Sequence, residues 1–290
     1  MRWTRGESQE NVEDRRGEGG GGLGGIRLGG GRLRLGCGGM FILLVLSLIF
    51  RKNFFALLDT GPTADISNPG GAQTQPAPDS PAEKEKVEFV TFVLNDAQRA
   101  WTQEFSSRGE HYRPTHLVLF SNAINSACGF AQAASGPFYC PGDEKVYIDL
   151  AFYDELQTRF GAGGDFAQAY VIAHEIGHHV QTQIGIDEKV RELQARRPDL
   201  QNDLSVRMEL QADCFAGIWG HSTARRDILE KGDIEEAMNA AAAIGDDRLQ
   251  RQSGQRVSPE SFTHGSSKQR VEWFNRGFQS GSLEQCDTFR

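Results

Sequence analysis

At 290 residues, with a net charge of −8 and an isoelectric point near 5.4, the chain is long enough for a substantial core and too acidic for nucleic acid to be its principal partner. The charge is uneven: residues 1–34 hold seven Arg and five acidic residues, about +2, which leaves about −10 for the remainder (−8 minus +2). Between Gly17 and Gly39, 13 of 23 residues are Gly. Such a composition buries too little apolar surface to offset its chain entropy, so residues 1–35 read as a disordered Gly/Arg-rich segment.

Residues 40–50 are apolar apart from one Ser. Alone they fall short of the roughly 20 residues that cross a bilayer, but with snorkelling flanks a short span over 36–58 becomes feasible. The long polar stretch ahead and the lack of a small-residue cleavage site argue against a signal peptide. Seven Arg precede the run, and only Arg51 and Lys52 follow closely, which predicts a cytoplasmic amino terminus. The expectation is a single-pass inner-membrane protein, with the lipid bilayer as one partner and the globular part on the periplasmic or extracytoplasmic side. Residues 59–86, rich in Pro, Gly and Ser, read as its linker.

Residues 87–290 have a globular pattern. A helix is predicted over 87–105 from the stripe Val90, Val93, Leu94, Ala97 and Trp101. A short strand follows at 117–120, a half-exposed one at 145–150, and a short helix at 152–160. The order helix, small sheet, then mostly helices makes this an α+β domain. Four cysteines fall in this part. Cys128 with Cys140, and Cys214 with Cys286, suit two disulfides in an oxidising compartment, with free thiols or a second metal site as alternatives. No C-x-x-C spacing favours the metal option.

After the Gly-rich turn at 161–164, with Asp165 as expected N-cap, Phe166, Tyr170 and Ala173 set a helical period that runs into His174-Glu175-Ile176-Gly177-His178. This is H-E-x-x-H on a helix. Four residues are slightly more than one turn, so His174 and His178 share a face and can chelate one zinc ion, beside Glu175 as general base. His179 points about 100° away and suits a structural hydrogen bond. A third ligand must come from elsewhere. The helix expected at 203–219 places Glu209 and Asp213 four apart in apolar surroundings, and a buried carboxylate pair needs partners. Glu209 is the expected ligand, and Asp213 the acceptor for a ligating imidazole, His174; a salt bridge to Arg207 or Arg270 is the alternative.

H-E-x-x-H followed by E-x-x-x-D on a later helix is the gluzincin arrangement. The stretches AHEIGHHVQ, MELQADCFAGIW, SGPFYCPGDEKVYIDL and THGSSKQRVEWFNRGF together resemble the bacterial family of neutral zinc metallopeptidases, over residues 87–290. The resemblance implies a mainly helical, zincin-like α+β domain and a zinc-dependent endopeptidase acting on a peptide or protein substrate. It carries His174, His178 and Glu209 to one catalytic Zn2+, and Glu175 to the base that deprotonates a zinc-activated water. His264, in a loop before a helix at 267–278, is the candidate second electrophile for the oxyanion, with a local role as the alternative. Tyr139 and Tyr147 are weaker candidates. Backbone groups at 146–149 could pair with an extended peptide if that strand is an edge. Two rival functions remain open: a membrane-tethered binding or assembly protein with structural zinc, and a zinc hydrolase of a non-peptide envelope amide.

Overall fold

The computed structural model describes residues 1–18, 80–133 and 136–290. The span expected at 36–58 lies outside them, as does the linker up to residue 79. Among the described residues no helix is long and apolar enough to cross a membrane.

The sheet is small and mixed. Its order is β1 (Val12–Asp14), β2 (His116–Phe120), β6 (Lys145–Asp149) and β5 (Phe138–Cys140). The first three run parallel, and β5 closes one edge antiparallel to β6. A separate hairpin, β3 (Ala123–Ser126) with β4 (Gly129–Gln132), packs Ile124 against Val118, Phe120 and Tyr147 on one face of the sheet. The other face presents Leu117, Leu119, Val146 and Ile148 to the helical core. Strand β6 is therefore covered on both faces and bonded along both edges, not half-exposed as its alternation suggests. The extended-peptide edge expected at 146–149 moves to β5.

The amino terminus departs furthest from expectation. Residues 1–18, expected as part of a disordered segment, are ordered: Val12 pairs with Leu117 and Asp14 with Leu119. Met1 is buried in the core, Trp3 stands edge-on to Phe89 at 5.5 Å, and Glu7 binds Arg99 at 2.9 Å. The glycine tract dominates the composition of residues 1–35 and hides the few apolar residues that find partners. The pairing also corrects the single-pass topology. One crossing between residues 36 and 58 would put β1 and β2 on opposite sides of the bilayer, yet they share a sheet.

Helix α1 (Pro81–Ser107) begins ahead of the predicted 87 because Ser80 and Glu83 form a capping box with Pro81 in the first turn. Short α2 (Ala151–Thr158) leads to α3 (Asp165–Gln183), which crosses the domain with Phe166, Tyr170, Ile172 and Ile176 fully buried. Its cap differs from expectation. Asp165 is the first helical residue, Gly164 occupies the cap at φ 115°, and the Phe166 N–H is satisfied by the Glu236 carboxylate at 3.1 Å. Then come α4 (Ile186–Arg196), α5 (Gln201–Arg225), α6 (Asp233–Ala243), α7 (Asp246–Gln252) and α8 (Ser267–Ser280).

Helices α5 and α8 approach closely enough to demand glycine. A Cβ on Gly277 would lie 1.9 Å from the Cys214 carbonyl oxygen, and one on Gly217 2.1 Å from that of Phe274. Cys214 is itself disulfide-bonded to Cys286, and Cys128 to Cys140. Gly277→Ala should push the two helices apart and lower stability by about 1–3 kcal/mol, the usual cost of overpacking. Urea denaturation followed by tryptophan fluorescence measures it, and an unchanged midpoint would contradict the close crossing.

Candidate metal centre and active-site cleft

Three ligand atoms converge where α3 meets α5. Oxygen and nitrogen donors from His174, His178 and Glu209 all lie within 4.8 Å of one another. The cause is local: 174 and 178 are one turn apart on α3, and residue 209 faces them from α5 across Gly177. A Cβ on Gly177 would sit 3.0 Å from the Ala212 carbonyl oxygen, so the absence of a side chain lets the two helices meet at the cluster. Glu209 Oε2 is 3.2 Å from His174 Nε2, and Oε1 is 3.5 Å from His178 Nε2.

Each imidazole is oriented from behind. His174 Nδ1 donates to Asp213 Oδ1 at 2.9 Å, and His178 Nδ1 donates to Gln181 Oε1 at 2.8 Å. Gln181 is held in turn by the Met208 carbonyl at 2.8 Å and by Gln211. With both Nδ1 atoms donating backwards, both Nε2 atoms face Glu209, where a proton is held when no cation is bound. Two imidazole nitrogens and one carboxylate oxygen with supported orientations make the donor set of a zinc site with one open position, so the residues fit that metal. Electrostatics agree. Burial disfavours charge on His174, but Asp213 and then Glu209 outweigh it and raise its pKa to about 10. Burial would raise Glu209, yet His178 and His174 hold it well below the carboxylate range. A metal cation would take the place of the proton that this cluster binds so firmly.

Asp213 is fully buried and does more than hold His174. Arg270 on α8 grips it with Nε at 2.8 Å and Nη2 at 2.9 Å, and the Tyr170 hydroxyl donates to the same oxygen as His174. Arg270 Nη2 also reaches the Tyr170 oxygen at 3.2 Å. The ion pair considered as an alternative for Asp213 thus coexists with the imidazole contact. Arg207 takes Asp203 instead, at 2.9 Å.

The cluster opens into a cleft of about 680 Å3, lined by Glu175, His264, Arg270 and the β5 residues Phe138 and Tyr139, among others. His264 is half-exposed and tied to Asp246, which sequence reading missed. One Asp246 oxygen accepts from the backbone of Thr263, His264 and Gly265 at 2.7, 2.7 and 3.0 Å. The other lies 3.2 Å from His264 Nδ1. That bond raises the His264 pKa, against the opposing effect of burial. The remaining candidates are occupied elsewhere. Tyr139 donates to His179 Nδ1 at 3.1 Å, and His179 Nε2 donates to the Arg113 carbonyl at 2.7 Å. Tyr147 donates to Asp143 at 2.7 Å.

A family model described as "Putative neutral zinc metallopeptidase" matches residues 1–289. A protein of Escherichia coli strain K12, "Uncharacterized protein YpfJ", is 49% identical over 291 residues, covering all of this chain and 99% of the relative. "Uncharacterized protein Mb2605" of Mycobacterium bovis is 43% identical over 189 residues, 61% of this chain and 63% of that one. No solved structure matches.

If Asp213 and Arg270 act as one orienting unit, Asp213→Asn should weaken zinc binding about 10- to 100-fold, the usual cost of losing an outer-shell partner. Arg270→Lys keeps the charge, loses the two-pronged grip, and should weaken it less. Competition with a chromophoric chelator reads both. Wild-type affinity in Asp213→Asn would remove the orienting role.

Proposed function

Because the chain belongs to this zinc metallopeptidase family, we propose that it hydrolyses peptide bonds with one zinc ion held by His174, His178 and Glu209. The observation that carries the reading is the convergence of those three donors beside Glu175 in an open cleft. When bound, zinc supplies Lewis acidity, which polarises the scissile carbonyl and makes water acidic enough to ionise near neutrality. Glu175 takes the proton from the attacking water and returns it to the departing amine. His264, steadied by Asp246, donates a hydrogen bond to the oxyanion. The substrate chain lies extended against β5, the edge strand that borders the cleft.

A purely structural zinc is disfavoured by Glu175, which lines the cleft beside the three donors, because a closed structural site has no use for a base. The same constellation could hydrolyse a non-peptide amide, and substrate profiling distinguishes the two. Two disulfides support action in an oxidising compartment outside the cytoplasm. Any seat of the apolar run in a bilayer must return the chain to the side it left, because both flanks belong to one sheet.

Glu175→Gln should retain zinc and lose about 10^2- to 10^4-fold in hydrolysis of a denatured protein substrate. Metal analysis beside a proteolysis assay tests this, and undiminished turnover would rule the base out. The pH profile tests His264. Its pKa is raised, so the protonated donor persists to higher pH than in a free imidazole, and activity should fall as pH rises through that raised value. Asp246→Asn removes the bond that raises it and should move this alkaline limb to lower pH. An unmoved limb would assign it to another group.

A further inference from the structure

The two ends of the cleft differ in chemistry, and the metal cluster divides them. On the His178 side, Gln181 holds the imidazole, Thr182 donates to Asp187 at 3.1 Å, and Arg191 binds Asp187 at 2.7 Å. This end carries an ion pair and amide groups, with Val190 and Met208 as its apolar lining. On the His174 side, three contacts place apolar side chains. Val171 precedes His174 by three residues and Glu175 by four, so it shares their face of α3. Arg270, beside His174, donates to the Ile244 carbonyl at 3.4 Å, which brings the end of α6 to the cluster. Arg248 on α7 donates to the Phe160 carbonyl at 2.8 Å and ties α7, with Leu249, to the turn after α2.

Phe160, Val171, Ile244 and Leu249 therefore come from separate segments to one end of the cleft, whose lining also includes Phe152. They are not simply core. Phe152, Ile244 and Leu249 are only partly buried and pack at its margin. Apolar surface open to water is unfavourable by roughly 25 cal/mol per Å2 until something covers it. A side chain that fills this end recovers that energy, whereas at the other end Val190 and Met208 share the lining with the ion pair of Asp187 and Arg191.

We propose that the cleft selects an extended peptide carrying a bulky aliphatic or aromatic side chain next to the scissile bond, seated on the His174 side against Phe160, Val171, Ile244 and Leu249. The proposal rests on the peptidase reading above and adds the substrate class. Leu249, contributed by a short surface helix, sets the size of the seat.

The test uses the full chain loaded with zinc and two peptide hydroxamates that differ only in an isobutyl group against hydrogen at the tested side chain. Calorimetry should show the isobutyl compound binding about tenfold or more tightly, the discrimination expected of a hydrophobic pocket. Leu249→Asp should abolish the preference for the isobutyl compound over the hydrogen compound while zinc content is retained. Should Leu249→Asp fail to fold, Leu249→Ala should reduce the preference by several-fold. Equal affinities in the wild type, or a preference untouched in the folded Leu249 variant, would overturn the proposal whether or not turnover is seen. Cleavage of a peptide mixture separates it from the parent reading. Glu175-dependent cleavage without apolar preference sinks the substrate class alone, and cleavage indifferent to Glu175→Gln sinks the peptidase mechanism.

Discussion

A single carboxylate sealed from water governs the arrangement of this domain. Asp213 has no exposed surface, and an ionised group so placed is tolerable only when surrounded by donors. It receives four hydrogen bonds from three side chains: one each from His174 and Tyr170, and two from Arg270. Those donors sit on α3 and α8, while the acceptor sits on α5. Satisfying one charge therefore fixes the mutual position of three helices and, with it, the direction of an imidazole. Tight helix contact through Gly177, Gly217 and Gly277 is the steric side of the same requirement.

A second carboxylate repeats the device at the rim. Asp246 begins α7 and gathers three consecutive backbone N–H groups with one oxygen, leaving the other for an imidazole. The loop at 263–265 is thereby held by electrostatics rather than by apolar packing, as its half-exposed position demands. Gly265, at φ 88°, supplies the backbone geometry that turns its N–H toward Asp246. The deeper carboxylate orients a metal ligand and the shallower one orients an electrophile. The Arg270 guanidinium, between the two, neutralises the deeper.

The sequence made legible whatever depends on spacing within one helix. His174 with His178, and Glu209 with Asp213, are each one turn apart, and helical periodicity alone places them on shared faces. Contacts that depend on tertiary arrival were legible only in part: the Asp213–Arg270 pair stood only as an alternative, and the Asp246–His264 pair was not foreseen. Arg270 lies 57 residues from Asp213 and Asp246 lies 18 from His264. A signal for Arg270 existed: with Phe274 and Gly277 it forms an apolar i, i+4, i+7 stripe, where a lone Arg should find a buried anion. Strand order carries no such signal, so the interior position of β6 and the edge position of β5 could not be read. The amino terminus was missed because three residues of strand are too few for a period, and the neighbouring glycines set the composition.

The pairing of β1 with β2 also sets a clock. Val12 and Leu117 are 105 residues apart (117 minus 12), and a ribosome adding about 5–20 residues per second needs about 5–20 s to make the partner after the strand. The first strand to be synthesised thus cannot enter the sheet until its neighbour β2 exists. Contacts of such sequence separation slow folding, because closure entropy is lost before pairing repays it. Until then Trp3 and Glu7 can find Phe89 and Arg99 on α1, but the strand itself has no edge to join.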